Sequence, residues 1–167
     1  AVTDHDTIAS ISEIQALAAA RGIEAHAGIE ITAVEGGRDI HMLGYFLNPA
    51  EPRLLEFLRD QRETRVKRVH AIAARLAELG VPIDLQALLD EAQRNLGRSI
   101  GRPQVAQALQ RAGHVADTKE AFDRFLRNDG PAFVSRPGSP PDVVIGIIHR
   151  AGGIASLAHP GRTRIDE

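Results

Sequence analysis

The chain has 167 residues, with 20 Lys and Arg against 22 Asp and Glu and a net charge of −2, a balance that excludes any global pull toward nucleic acid or an anionic membrane. The lack of Cys excludes disulfides, thiolate zinc sites and cysteine nucleophiles, and an aromatic content of 4% with no Trp argues against a broad base-stacking platform. A hydrophobic fraction of 43% is enough for a packed core, no run approaches the roughly 20 apolar residues that a membrane span needs, and a cytoplasmic location is the default expectation.

In chain order, the recurrence of Ile8, Ile11, Ile14, Leu17 and Ala18 predicts a helix over 7–21, with Asp6 or Thr7 as its cap and Gly22 as its stop. Two short Ile-rich stretches, 23–31 and 39–47, read as strands around Gly36-Gly37. The texture then changes. Residues 51–79 form a long charged amphipathic helix with Leu54, Leu58, Val66, Val69, Ile72, Ala73 and Leu76 on its buried stripe. Shorter helices are expected at 84–94, 102–112 and 118–127. A Gly- and Pro-rich loop over 128–141 leads back to a helix at 141–151 and a strand from Ile154 to Ala158. The pattern is α/β, interrupted by an all-helical block that reads as an insertion or lid.

Four polar residues stand at the ends of strand-like runs, where α/β folds place their chemistry. They are His5 in Thr3-Asp4-His5-Asp6, Glu30 after Ala27-Gly28-Ile29, His41 before Met42-Leu43-Gly44, and His159 in Ala158-His159-Pro160. Taken singly, each has a plain structural reading: His5 beside a helix cap, Glu30 paired with a cation, His159 as a turn residue. Glu30 and His41 are separated by one short turn and can meet on neighbouring antiparallel strands. A carboxylate with imidazoles suits Mn, Fe or Zn better than Mg or Ca. His26, His70, His114 and His149 read as surface or capping residues. Arg102, between Gly101 and Pro103, opens a helix beside free amides and is a candidate phosphate contact or an ordinary surface Arg. The run Arg62, Arg65, Lys67, Arg68 reads as a solvated helix face.

Together, Thr-Asp-His-Asp, Gly-Ile-Glu, His-Met-Leu-Gly and Ala-His-Pro resemble the motifs of the PHP (polymerase and histidinol phosphatase) family of metal-dependent phosphoesterases. The likeness is greatest to its stand-alone bacterial branch of nucleoside 3′,5′-bisphosphate phosphatases and 5′-3′ exoribonucleases. The resemblance implies a distorted (β/α)7 barrel, with 1–50 and 135–167 as barrel parts and 51–134 as a helical insertion over the active site. It implies two or three divalent metal ions, Mn(II) foremost and Zn(II) or Fe(II) as alternatives, held by His5, Glu30, His41 and His159, with Glu30 bridging two of them. It also implies that Arg102 contacts a substrate phosphate; where the family often continues this motif with His, this chain has Gln104.

The expected reaction is hydrolysis of a phosphate ester by a metal-bound hydroxide. The expected substrate is a small nucleotide or short single-stranded RNA, with no stable duplex partner and no membrane. Alternatives are a histidinol-phosphate phosphatase and a non-catalytic or polymerase-associated module. An upstream His-x-His and a downstream Asp-x-His are family motifs without counterparts in these 167 residues, so the chain is expected to be part of a longer protein.

Overall fold

The computed structural model describes residues 1–94 and 99–162 and is a mixed α/β structure. In chain order its main elements are α1 (Ile11–Ala19), β1 (Gly28–Glu35), β2 (Arg38–Tyr45), α2 (Pro52–Glu78), α3 (Leu85–Arg94), α4 (Arg102–Arg111), α5 (Thr118–Ala121), α6 (Pro141–Arg150) and β3 (Ile154–Leu157). The chain divides into two compact units: Ala1–Gln61 with the chain from Pro137 onward, and Arg62–Arg136.

The first unit is built on an antiparallel sheet of order β1-β2-β3. Alternation along β1 sets its two faces. Ile29, Ile31 and Ala33 are fully buried on one face, whereas Glu30 and Thr32 point to the other. The β1–β2 hairpin closes through Gly36 and Gly37, both at positive φ (56° and 77°), with Glu35 paired to Arg38. Two consecutive positive φ values are what a tight two-residue hairpin requires and what glycine supplies without strain. On the apolar face α6 packs across the sheet, and its Val144, Ile147 and Ile148 share one core with Ile29, Ile31 and Met42. A Cβ added to Gly44 would stand 3.1–3.2 Å from Leu47, Ile148 and Ile29, so this glycine allows the close approach of helix and strand.

Two elements of the first unit differ in their bounds from the sequence expectation. The first helix begins at Ile11 rather than 7, because Asp6 and Thr7 do not cap it. Asp6 takes a left-handed φ of 53°. Its buried carboxylate accepts the Thr32 backbone N–H at 2.8 Å and the Thr32 hydroxyl at 3.2 Å. Ser10 holds the N-cap position and donates its hydroxyl to Asp4. The first strand begins at Gly28 rather than 23 and runs on to Glu35: Ile23 is exposed, and regular alternation of buried residues starts only at Ile29. The residues before β1 are held differently. Val2 and His5 form parallel bridges to Ala27 and Glu30, laying the N-terminal segment along the outer edge of β1.

The second unit is helical. Val69, Ile72 and Leu76 of α2 enter its core with Leu88, Val105, Leu109 and Leu126. Earlier along the same helix, Leu54 and Leu58 belong to the core of the first unit. The expected single helix over 118–127 is instead α5 followed by a π-helical turn, Phe122–Leu126, closed by the Arg127 N–H on the Phe122 carbonyl at 3.0 Å. The consecutive residues Phe125 and Leu126 of this turn are both buried. Guanidinium groups hold the non-helical return segment: Arg68 Nε donates to the Val134 carbonyl at 2.9 Å, and Arg75 donates to that of Phe133. Among the described residues, no helix is long and apolar enough to cross a membrane.

Candidate metal centre

The polar face of the first unit's sheet carries the four residues that the sequence singled out. Register explains their meeting. His41 pairs with Thr32, two positions along β1 from Glu30, so Glu30 and His41 are diagonal neighbours on one face. His5 reaches the same place from the N-terminal segment, which pairs His5 with Glu30. His159 arrives from the end of β3, where the Ala158 N–H donates to the His41 carbonyl at 2.8 Å and extends the pairing. A left-handed φ of 32° at His159 turns the chain there.

The side chains converge on one oxygen. Glu30 Oε1 lies 2.7 Å from His41 Nδ1, 3.2 Å from His159 Nε2 and 3.9 Å from His5 Nε2. His41 Nδ1 and His159 Nε2 are 3.1 Å apart. The His5 and His41 rings stand edge to face at 4.5 Å, and those of His41 and His159 at 5.0 Å. Exposure of the four side chains runs from 20% at Glu30 to 43% at His159, so the cluster is reachable from solvent without being a surface patch.

This donor set fits a divalent metal ion. Glu30 Oε1, His41 Nδ1 and His159 Nε2 form a triangle with edges of 2.7, 3.1 and 3.2 Å. Ligand atoms about 2.0–2.2 Å from one ion stand roughly 3.0–3.4 Å from each other, so two edges of the triangle have the length of a coordination-shell edge, while the 2.7 Å edge has the length of a hydrogen bond. A second grouping, His5, Glu30 and His41, places its ligand atoms within 4.8 Å of one another. Glu30 and His41 belong to both. His5 Nδ1 is buried without a hydrogen-bond partner among the described residues and lies 3.6 Å from the Asp6 carboxylate. Three imidazoles gathered on one carboxylate leave more lone pairs than protons to share, a crowding that a cation relieves. Burial lowers the pKa of His41 from its ordinary value and His5 lowers it further, against the opposing pull of Glu30. A lowered pKa keeps the imidazole neutral and able to donate its lone pair.

Arg102 belongs to the second unit, at the start of α4. Its Nη1 donates to the Leu126 carbonyl at 3.0 Å and to Asn128 Oδ1 at 2.7 Å. Its guanidinium carbon lies 5.7 Å from the centroid of the Phe133 ring. Gln104 is occupied locally and accepts the Gly101 N–H at 2.9 Å. Sequence reasoning read Asp6 as a helix cap; its bond to Thr32 was missed. The available signal was a Thr on the polar face of a strand, two positions from the Glu.

No family model matches the chain. It is 35% identical to a 5′-3′ exoribonuclease of Haemophilus influenzae, over 97% of this chain and 58% of that protein. It is 34% identical to a 3′,5′-nucleoside bisphosphate phosphatase of Chromobacterium violaceum, over 97% of this chain and 56% of that protein. Among solved structures, one named an amidohydrolase, from Chromobacterium violaceum, superposes with a TM-score of 0.84 at 32% identity, over 96% of this chain and 56% of the other. Another, named as a metal-dependent phosphoesterase, from Bifidobacterium adolescentis, superposes with a TM-score of 0.85 at 28% identity, over 97% of this chain and 57% of the other. The chain thus spans a little over half the length of the relatives it matches.

Proposed function

The chain is a homologue of bacterial enzymes named as nucleoside bisphosphate phosphatase and 5′-3′ exoribonuclease, and we propose that it carries the metal centre of a hydrolase acting on phosphate esters of small nucleotides. Its substrate class is a nucleoside 3′,5′-bisphosphate or a short 5′-phosphorylated RNA, the nucleotides of the cytoplasm. The observation that carries this reading is the convergence of His5, His41 and His159 on Glu30 Oε1.

In this reading His5, Glu30, His41 and His159 hold two or three divalent ions, with Glu30 common to both groupings. Nitrogen-rich donors with one carboxylate suit Mn(II), Fe(II) or Zn(II), and Mn(II) is the ion we favour. Bound metal supplies an activated water and neutralises charge on the phosphoryl oxygens. The protein's own part is positional. The β1–β2 register holds Glu30 and His41 on one face, Asp6 fastens the His5 segment through Thr32, and the β3 pairing delivers His159. Arg102 contributes a fixed cation for a substrate phosphate. The sheet and α6 form part of a larger (β/α)7 barrel, and Arg62–Arg136 forms most of its helical insertion.

The test assays the metal-loaded protein side by side for phosphate release from a nucleoside 3′,5′-bisphosphate and from histidinol phosphate, and for mononucleotide release from a short 5′-phosphorylated RNA. The reading expects metal-dependent release from the bisphosphate or from the RNA. Release fastest from histidinol phosphate, or none from any of the three, overturns it.

A further inference from the structure

The His5 ring stands between two carboxylates. Its Nε2 faces Glu30 Oε1 at 3.9 Å, and its Nδ1 faces Asp6 Oδ2 at 3.6 Å. The two nitrogens differ in their surroundings, because Nδ1 is buried and has no hydrogen-bond partner among the described residues. Consecutive residues of an extended segment point to opposite sides, but the left-handed φ of 53° at Asp6 breaks that alternation next to His5. Main-chain bonds fix the turn: the Glu30 N–H donates to the Asp4 carbonyl at 3.0 Å, and the Asp6 N–H to the Glu30 carbonyl at 2.8 Å. The Asp6 carboxylate is wholly buried and is itself held by the Thr32 N–H and hydroxyl. It is therefore a fixed acceptor beside His5.

At 3.6 Å the two atoms are too far apart for a hydrogen bond, yet close enough to decide where the ring carries its proton. A neutral imidazole has one N–H and one lone pair. A lone pair on Nδ1 would face the carboxylate oxygen in a buried setting, where repulsion is little screened; an N–H there is attracted instead. We infer that Asp6 is a positioning residue for His5: its carboxylate keeps the proton on Nδ1 and so leaves the lone pair on Nε2, the nitrogen that faces Glu30. A metal-binding imidazole whose other nitrogen is turned to a carboxylate has its tautomer fixed in this way. The inference rests on the reading of His5 as a metal ligand. It gives Asp6 a role apart from fastening the chain through Thr32. An amide could accept the Thr32 N–H, whereas an acceptor on the Nδ1 side as well requires the second carboxylate oxygen.

The decisive variant is Asp6→Asn. Its amide oxygen can still accept the Thr32 N–H, while the amide nitrogen replaces the oxygen on the His5 side, so Nδ1 must accept and the ring proton moves to Nε2. Two measurements read the effect. One is heteronuclear NMR of the histidine ring nitrogens in the metal-free protein, at a pH where imidazole is neutral, with His5→Ala identifying the His5 signals. The other is isothermal titration with Mn(II). We expect the His5 proton on Nδ1 in the unaltered protein and on Nε2 in Asp6→Asn, and an Mn(II) affinity about 10- to 100-fold lower in that variant. Thr32→Val removes the fastening hydroxyl but keeps the carboxylate, and should leave the proton on Nδ1. An Nε2 proton in the unaltered protein, a proton that stays on Nδ1 in Asp6→Asn, an unchanged Mn(II) affinity in that variant, or a proton moved equally by Thr32→Val each overturns the inference and leaves His5 as a ligand. Should Asp6→Asn not fold, the spectrum of the unaltered protein decides alone. If His5→Ala leaves Mn(II) affinity unchanged, the ligand reading fails, and this inference with it.

Discussion

The two units place their candidate functional groups by different means. In the first, four candidate ligands are carried on or beside strands and are brought together by register: Thr32 opposite His41, His5 beside Glu30, Leu157 opposite Met42. In the second, the candidate phosphate contact Arg102 starts a helix and donates to the Leu126 carbonyl and to Asn128, about 25 residues along the chain. A sheet site is therefore determined by a period of two and by hydrogen-bond ladders. The helical site depends on tertiary contacts of individual side chains. The first should resist most changes except to its ligands, whereas the second should respond to substitutions that touch no ligand at all.

The largest expected effect breaks the sheet site at its shared atom. Glu30→Gln keeps shape and burial but removes the anion toward which the three imidazoles point. Phosphate release should fall by about 10³-fold or more, the scale on which enzymes lose rate when charge stabilisation at the reacting centre is removed. His159→Ala comes next. It removes one corner of the 2.7, 3.1 and 3.2 Å triangle and should weaken metal binding by more than the roughly 10–100-fold typical of losing an outer partner. Isothermal titration with Mn(II) reads that loss.

Two further changes test the scaffold rather than the ligands. Asp6→Ala leaves the buried Thr32 N–H without its side-chain acceptor, which should destabilise the protein by about 1–3 kcal/mol in denaturant titration and loosen His5. Gly44→Val pushes side-chain atoms into Leu47, Ile148 and Ile29, and overpacking of this kind costs about 1–3 kcal/mol. A change at Gly44 that lowers stability while leaving metal affinity unaltered would sharpen the distinction between the apolar face and the ligand face.

The smallest effect is that of pH. Folding holds the pKa of His41 below its ordinary 6.5, first through burial and then through His5. The unfolded chain therefore binds this proton more readily than the folded one. The stability associated with neutral His41 is present above pH 6.5 and is lost as pH falls through the lower folded value. Thermal midpoints of the metal-free protein should fall on that side, and His41→Gln should flatten the slope.

Much of the cluster of His5, Glu30, His41 and His159 was legible in the sequence because its signals are local. A His or Glu at the end of an apolar run survives errors in the strand boundaries, which here fell several residues early for β1. Glu30 and His41 meet as expected for two strands joined at Gly36-Gly37. Other features could not be read because they depend on distant partners. Asp6 looked like a helix cap, since a carboxylate before an apolar helix is the usual cap pattern; its actual partner is 26 residues away. The π-helical turn at Phe122–Leu126 has a composition an α-helix could have and differs in its backbone bonding, the Arg127 N–H reaching the Phe122 carbonyl five residues back. Helical spacing gave no hint of what holds Arg102, because Asn128 and Phe133 reach it across a loop.

The central claim is that Glu30 gathers the histidines into a metal centre. It is tested most directly by elemental analysis after chelator treatment and reconstitution with Mn(II), comparing the unaltered protein with Glu30→Gln at equal folded content. The account predicts at least about one retained Mn(II) per unaltered chain and a loss of most of it in the variant, as expected when the carboxylate shared by the candidate ligands is neutralised. Equal metal content in the two proteins would contradict it.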